Sequence, residues 1–147
     1  MTALIMLQPI IIVLMIIATG TLQLGSQTAL DWTVGSLESA RGRHLASRRW
    51  AYTITAVIIL MVGHMLQVLV WAVSYYAWGM LGSMRDCFYF SLASFTTVGA
   101  NDLALQSAHR MVGVVEAGVG MLMFGWSTAL LVDVIQRSRQ RSRRDLR

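Results

Sequence analysis

Three long apolar runs, separated by polar stretches, set the order of this chain. Residues Ala3 to Leu24 carry no charge and hold a dense Ile/Leu/Val/Met run. About 20 such residues cross the hydrocarbon layer of a bilayer as a helix, so the first element is a spanning helix within 1–24, and Pro9 lies early enough in it to be tolerated. Gly25 to Trp50 is polar and includes Asp31, Glu38 and four Arg residues, yet Leu30, Val34, Leu37 and Leu45 recur at roughly helical spacing. That segment reads as a short cytoplasmic helix lying along the membrane interface, or as a solvated connecting loop. Ala51 to Trp78 is a second span, interrupted only by His64 and Gln67, with Trp50, Trp71, Tyr75, Tyr76 and Trp78 toward its two ends; aromatic residues at that depth anchor a helix at the interface. Met111 to Ile135 is the third span, and an Arg-rich tail over 137–147 follows it.

Between the second and third spans the pattern changes. After a short turret, Gly79 to Arg85, the run from Asp86 to Phe95 is apolar and aromatic but only about ten residues long, so as a helix it crosses half of a ~30 Å hydrocarbon layer. It then breaks into Thr96-Thr97-Val98-Gly99-Ala100-Asn101-Asp102. A half-crossing followed by irregular backbone is a re-entrant loop, and such backbone is tolerated at membrane depth only when it is buried in protein or lines water. One small chain cannot enclose it, so several copies are expected to.

Composition narrows the class. The chain is 56% hydrophobic and 13% charged, which suits a membrane protein. A single Cys excludes a disulfide framework, and Cys87 reads as a packing residue. All twelve basic residues are Arg, and most fall in two clusters: Arg41, Arg43, Arg48 and Arg49, then Arg137, Arg139, Arg141, Arg143, Arg144 and Arg147. Beside apolar spans these are positive-inside determinants that meet anionic lipid rather than nucleic acid. They put the C-terminus and the 25–50 segment in the cytoplasm of an inner (plasma) membrane, and the N-terminus and the re-entrant loop outside. A cleaved signal peptide is disfavoured because the first run lacks a basic leader and a small-residue cleavage site. No span carries repeated Arg, so no voltage sensor is expected.

Phe90-Ser91, then Phe95-Thr96-Thr97-Val98-Gly99, then Asp102 resemble the pore helix and selectivity filter of the tetrameric potassium-channel superfamily. The resemblance covers about Ala51 to Gln136. It implies an all-α membrane protein with three transmembrane helices per subunit, a re-entrant pore helix and filter loop, and a homotetrameric pore. The module would run over 51–136: outer helix 51–78, pore helix 86–95, filter 96–102 and inner helix 110–136. In that family the filter carbonyls replace the hydration shell of the ion. By resemblance, Thr97, Val98, Gly99, Ala100 and Asn101 would hold permeant potassium or sodium. Thr96 would pack behind the filter, and Asp102 would gather cations at the outer mouth. The filter departs from the family where Ala100 replaces Tyr and Asn101 replaces Gly. Ala cannot brace the filter from behind, so a looser outer filter and weaker discrimination against sodium are implied, whereas Asn tolerates the left-handed backbone that the Gly supplies. Aligned on Arg110 and Phe124-Gly125, the family's hinge glycine falls on Gly120, and Met121, Phe124 and Thr128 would face the cavity, with Val132 near the inner constriction.

Asp133 lies near the end of the third span, whereas Glu116 is a carboxylate deep inside that apolar span. Ionised, it would cost roughly 2.5 to 3.5 kcal/mol there, so it needs a partner, a proton or water. His64 lies in the second span at what reads as a matching depth, and the two are expected to meet across the helix interface. The function that follows is a passive cation channel with no enzymatic activity and no cofactor, self-assembled and lipid-bound, since no nucleophile or metal-ligand cluster supports catalysis. The alternative is a non-conducting pore homologue acting as a membrane assembly or regulatory partner.

Overall fold

The computed structural model describes residues 2–39, 45–100, 103 and 109–144. They form four helices: α1 Thr2–Ser39, α2 Leu45–Ala77, α3 Met84–Phe95 and α4 Arg110–Arg144. Three of these contain stretches long and apolar enough to cross a membrane, Gln8–Ser36, Trp50–Ala77 and Arg110–Arg137. Pairings along the helices fix their directions. Gln8 bonds His109 at 2.6 Å, Gln23 bonds Ser127 at 2.9 Å, and Asp31 lies 3.8 Å from Arg137, so α1 and α4 run parallel. Between α2 and α4, Tyr75 meets Glu116 and His64 meets Ser127, so α2 runs antiparallel to both.

Local chemistry explains how the chain turns into α3. Gly79 has φ 64°, the Met80 N–H bonds the Tyr75 carbonyl and the Gly79 N–H bonds the Tyr76 carbonyl, each at 3.0 Å. That is a Schellman stop, which satisfies carbonyls left open at a helix end and needs a residue at ease in the left-handed region. Ser83 caps the next helix: its hydroxyl accepts the Asp86 N–H at 3.1 Å, and Asp86 in the first turn complements the helix dipole. The cap explains why α3 begins at Met84, ahead of the expected Asp86.

The core lies where α3 enters the bundle. Met15 of α1, Val68, Trp71, Ala72 and Tyr75 of α2, Cys87, Phe90 and Phe95 of α3, and Val112, Val119 and Met123 of α4 form one buried cluster. A second cluster, Leu30, Val34, Ala56 and Val134, closes the opposite end. Trp71 and Tyr75 are therefore core residues rather than interface anchors, while Trp50 and Tyr76 remain exposed.

The chain does not break where the polarity pattern changes. The helical boundary expected at Leu24–Gly25 is absent, and α1 continues to Ser39. Leu30 and Val34, read as the stripe of an interfacial helix, pack on α2 and α4 as a continuation of α1. One glycine costs a helix only about 1 kcal/mol, and the polar residues around Gly25 have partners: Gln23 bonds Ser127, and the Ser26 hydroxyl bonds the Leu22 carbonyl. The tail differs too, since α4 runs through the Arg cluster to Arg144.

Candidate functional site

α3 descends into the bundle as its length requires. It has 12 residues, which is about 18 Å of helix. Its start follows the end of α2, and at its other end the Phe95 carbonyl abuts Gly120, ten residues into α4 from Arg110. Its length and its end against Gly120 make α3 the half-crossing that the sequence predicts. A Cβ on Gly120 would collide with the Phe95 backbone, and this close approach gives Gly120 a packing role in the fold. Further glycines of α4, Gly118 and Gly125, have nothing within 4 Å of a Cβ.

Beyond Phe95 the backbone reverses. Thr96 caps the helix with its N–H on the Leu92 carbonyl, and its hydroxyl bonds the same carbonyl at 2.7 Å, so the Thr96 side chain points back onto its own helix. Thr97 has φ 62° and Gly99 φ 81°. Positive φ is ordinary for Gly but an outlier for a β-branched residue, and it is held here by the Thr97 N–H on the Ser94 carbonyl at 2.9 Å and the Gly99 N–H on the Ala93 carbonyl at 3.0 Å. Thr97, Val98 and Gly99 are exposed, Val98 at 77%. Ala100 packs on the main core instead. Asn101 and Asp102 lie outside the described residues.

On α4, Met121, Thr128 and Val132 stand on an open face. Phe124 does not join them. Its ring is half-buried against His64, with centroids 4.7 Å apart, and against Phe95 at 5.6 Å, so the expected cavity-facing Phe124 is corrected to a packing residue between α2, α3 and α4.

The expected His64–Glu116 pair is likewise corrected. Glu116 Oε2 accepts the Tyr75 O–H at 2.6 Å, and Ser91 Oγ lies 2.5 Å from Oε1. His64 Nε2 faces Ser127 Oγ at 3.1 Å. The depths never matched, because His64 precedes the end of α2 by 13 residues and Glu116 follows the start of α4 by 6. One antiparallel register instead sets both contacts, eleven residues apart on each helix.

A second polar chain, which sequence reasoning missed, ties α1 to α2 and α4. Gln67 Nε2 donates to Gln23 Oε1 at 2.9 Å, Gln23 Nε2 donates to Ser127 Oγ at 2.9 Å, and the Trp71 indole N–H donates to Thr19 Oγ1 at 3.0 Å. His64 Nδ1 and Gln67 Oε1 are the buried side-chain atoms left without a partner among the described residues. The available signal was the α1 row Met15, Thr19, Gln23, whose spacing of four puts two polar residues on the buried face.

Residues 52–137, more than half of the chain, match the family model described as "Ion channel". They cover α2 from Tyr52, α3, the loop and α4 to Arg137. The chain belongs to the ion channel family. No curated protein and no solved structure gives a significant match. As an ion channel it is a membrane protein that passes ions down their gradient rather than an enzyme, and the match bears out the resemblance read from the filter residues. Among the described residues there is no cluster of three metal-ligating side chains. α3 and the Thr97–Gly99 turn occupy the part of the channel domain between its two spanning helices.

Proposed function

We propose that the chain is the subunit of a homotetrameric cation channel of the plasma membrane, conducting potassium with weakened discrimination against sodium. The observation that carries this reading is the exposed Thr97–Gly99 turn at the inner end of a half-length helix, with Thr97 in the left-handed region. Strained backbone of this kind persists where surrounding structure holds it for a function. A polar, irregular loop at that depth needs protein or water around it. Four copies about one axis meet that need and bring four sets of Thr97, Val98 and Gly99 carbonyls to one ion path. The partial negative charge at the end of each α3 favours a cation there.

Ala100 and Asn101 would form the outer ring, and Asp102 the mouth. With Ala100 packed on the core, the outer ring lacks the bracing side chain found in the family, which supports weakened rather than absent selectivity. The Arg clusters favour a cytoplasmic C-terminus, an external N-terminus and contact with anionic lipid.

Planar-bilayer recording with potassium on one side and sodium on the other tests the selectivity, while native mass measurement tests the assembly. A mass of four chains and a reversal potential displaced toward the potassium equilibrium value are expected. Reversal near zero would remove the potassium preference, reversal that follows chloride would remove cation selectivity, and a mass other than four chains would remove the tetramer.

A further inference from the structure

We propose that Glu116 is held as a neutral carboxylic acid and that it positions the pore helix, supplying from behind α3 the bracing that Ala100 cannot give. The proposal rests on the pore reading above and adds the residue that keeps the pore helix in place.

Glu116 is fully buried, and it sits where three helices meet. Tyr75 of α2 donates to Oε2 at 2.6 Å, and Ser91 of α3 lies 2.5 Å from Oε1. Ser91 Oγ is also 2.9 Å from the Val68 carbonyl of α2. These three contacts need three hydrogens. The carbonyl brings none and each hydroxyl brings one, so the third sits on the carboxyl. The acid O–H then donates to Ser91 Oγ, the Ser91 O–H donates to the Val68 carbonyl, and the Tyr75 O–H donates to Oε2. Every hydrogen has an acceptor and no charge is left in the membrane interior, where an ionised acid is costly.

The surroundings agree with a neutral group. Tyr75 and the Val68 carbonyl face Glu116 from α2 and Ser91 faces it from α3, with Cys87 in the same buried cluster as Tyr75. None of these is a cation. His64 is committed to Ser127, eleven residues further along α4. Among the described residues α1 sends no bonding partner to this carboxyl, its buried polar residues Thr19 and Gln23 being bonded to Trp71, Gln67 and Ser127.

Position gives the acid its leverage. Ser91 stands one turn before Phe95, whose carbonyl abuts Gly120 and after which Thr97 turns. Releasing Ser91 frees α3 to shift against α4, and the shift reaches the Thr97 carbonyl within two turns of helix and loop. Glu116 acts through Ser91 as a positioning residue.

A glutamine reproduces the neutral acid, since its amide N–H can donate to Ser91 and its oxygen can accept from Tyr75; alanine does neither. The full chain is compared with its E116Q and E116A variants by potassium and sodium flux in vesicles, by thermal unfolding and by infrared difference spectroscopy. E116Q is expected to keep the flux, ion preference and unfolding temperature of the unsubstituted chain, and E116A to lose ion preference and unfold at lower temperature. The carbonyl band of a protonated carboxylic acid is expected in the unsubstituted-minus-E116Q spectrum at neutral pH. Absence of that band, or an E116Q variant as impaired as E116A, overturns the proposal. Should the unsubstituted chain pass no ions, the pore reading fails, while the band and the unfolding order still decide the state and bracing role of Glu116.

Discussion

Glycine at position 120 shows how one missing methyl group sets the geometry of the site. The Phe95 backbone occupies the space that a side chain would take, and backbone cannot rotate away as a flexible side chain can. Gly120→Ala is therefore expected to destabilise the subunit by about 1–3 kcal/mol, the usual cost of overpacking, and to reduce flux by displacing the inner end of α3. Gly20→Ala on α1, where a Cβ meets nothing within 4 Å, is the control and should unfold no earlier than the unsubstituted chain, since alanine is the better helix former. Thermal unfolding of the two variants side by side checks both expectations. The glycine was legible in the sequence as a special position of the inner helix, but its contact was not, because a neighbour on another helix leaves no mark on local spacing. The same holds for Glu116. An acid in an apolar span announces that it has a partner without saying which; the α2–α4 register selects Tyr75 over His64, and the placement of α3 against α4 adds Ser91.

Among the elements, α2, α3 and α4 were readable from apolar run length, and the break after Phe95 from the sudden loss of apolar residues. α1 is not legible past Leu24 because polarity there suggests a change of environment, whereas Gln23 reaches Ser127 of α4 and Ser26 bonds the Leu22 carbonyl of its own helix. The first helix is thereby joined to the pore module by hydrogen bonds as well as by packing. Gln23→Ala leaves Gln67 and Ser127 each short of a partner, and we expect a loss of roughly 0.6–1.7 kcal/mol, the scale measured for hydrogen bonds between membrane helices. Gln23→Leu, which fills the volume without the amide, should lose a similar amount, because the same two groups are orphaned. Steric-trap or denaturant unfolding in detergent would measure both. At the start of the pore helix, Ser83→Ala removes the cap on the Asp86 N–H and is expected to cost about 1 kcal/mol.

For the whole molecule, the exposed surface tells as much as the core. Val98 in the turn after α3 and Met121, Leu122 and Val132 on α4 stand open in the single subunit, as the proposed tetramer requires of surfaces facing a shared axis. In the proposed channel, ions pass through the loop carrying Thr97, Val98 and Gly99. Vesicle flux under opposed potassium and sodium gradients, measured for the unsubstituted chain and for Gly99→Asp, tests this most directly. Gly99 has φ 81°, a conformation that costs a side-chain-bearing residue about 1–2 kcal/mol, and the substitution puts a carboxylate into the turn. Robust flux is expected from the unsubstituted chain, and its collapse in a Gly99→Asp protein that still assembles. Equal flux from both proteins, or none from a folded unsubstituted assembly, would contradict the proposal.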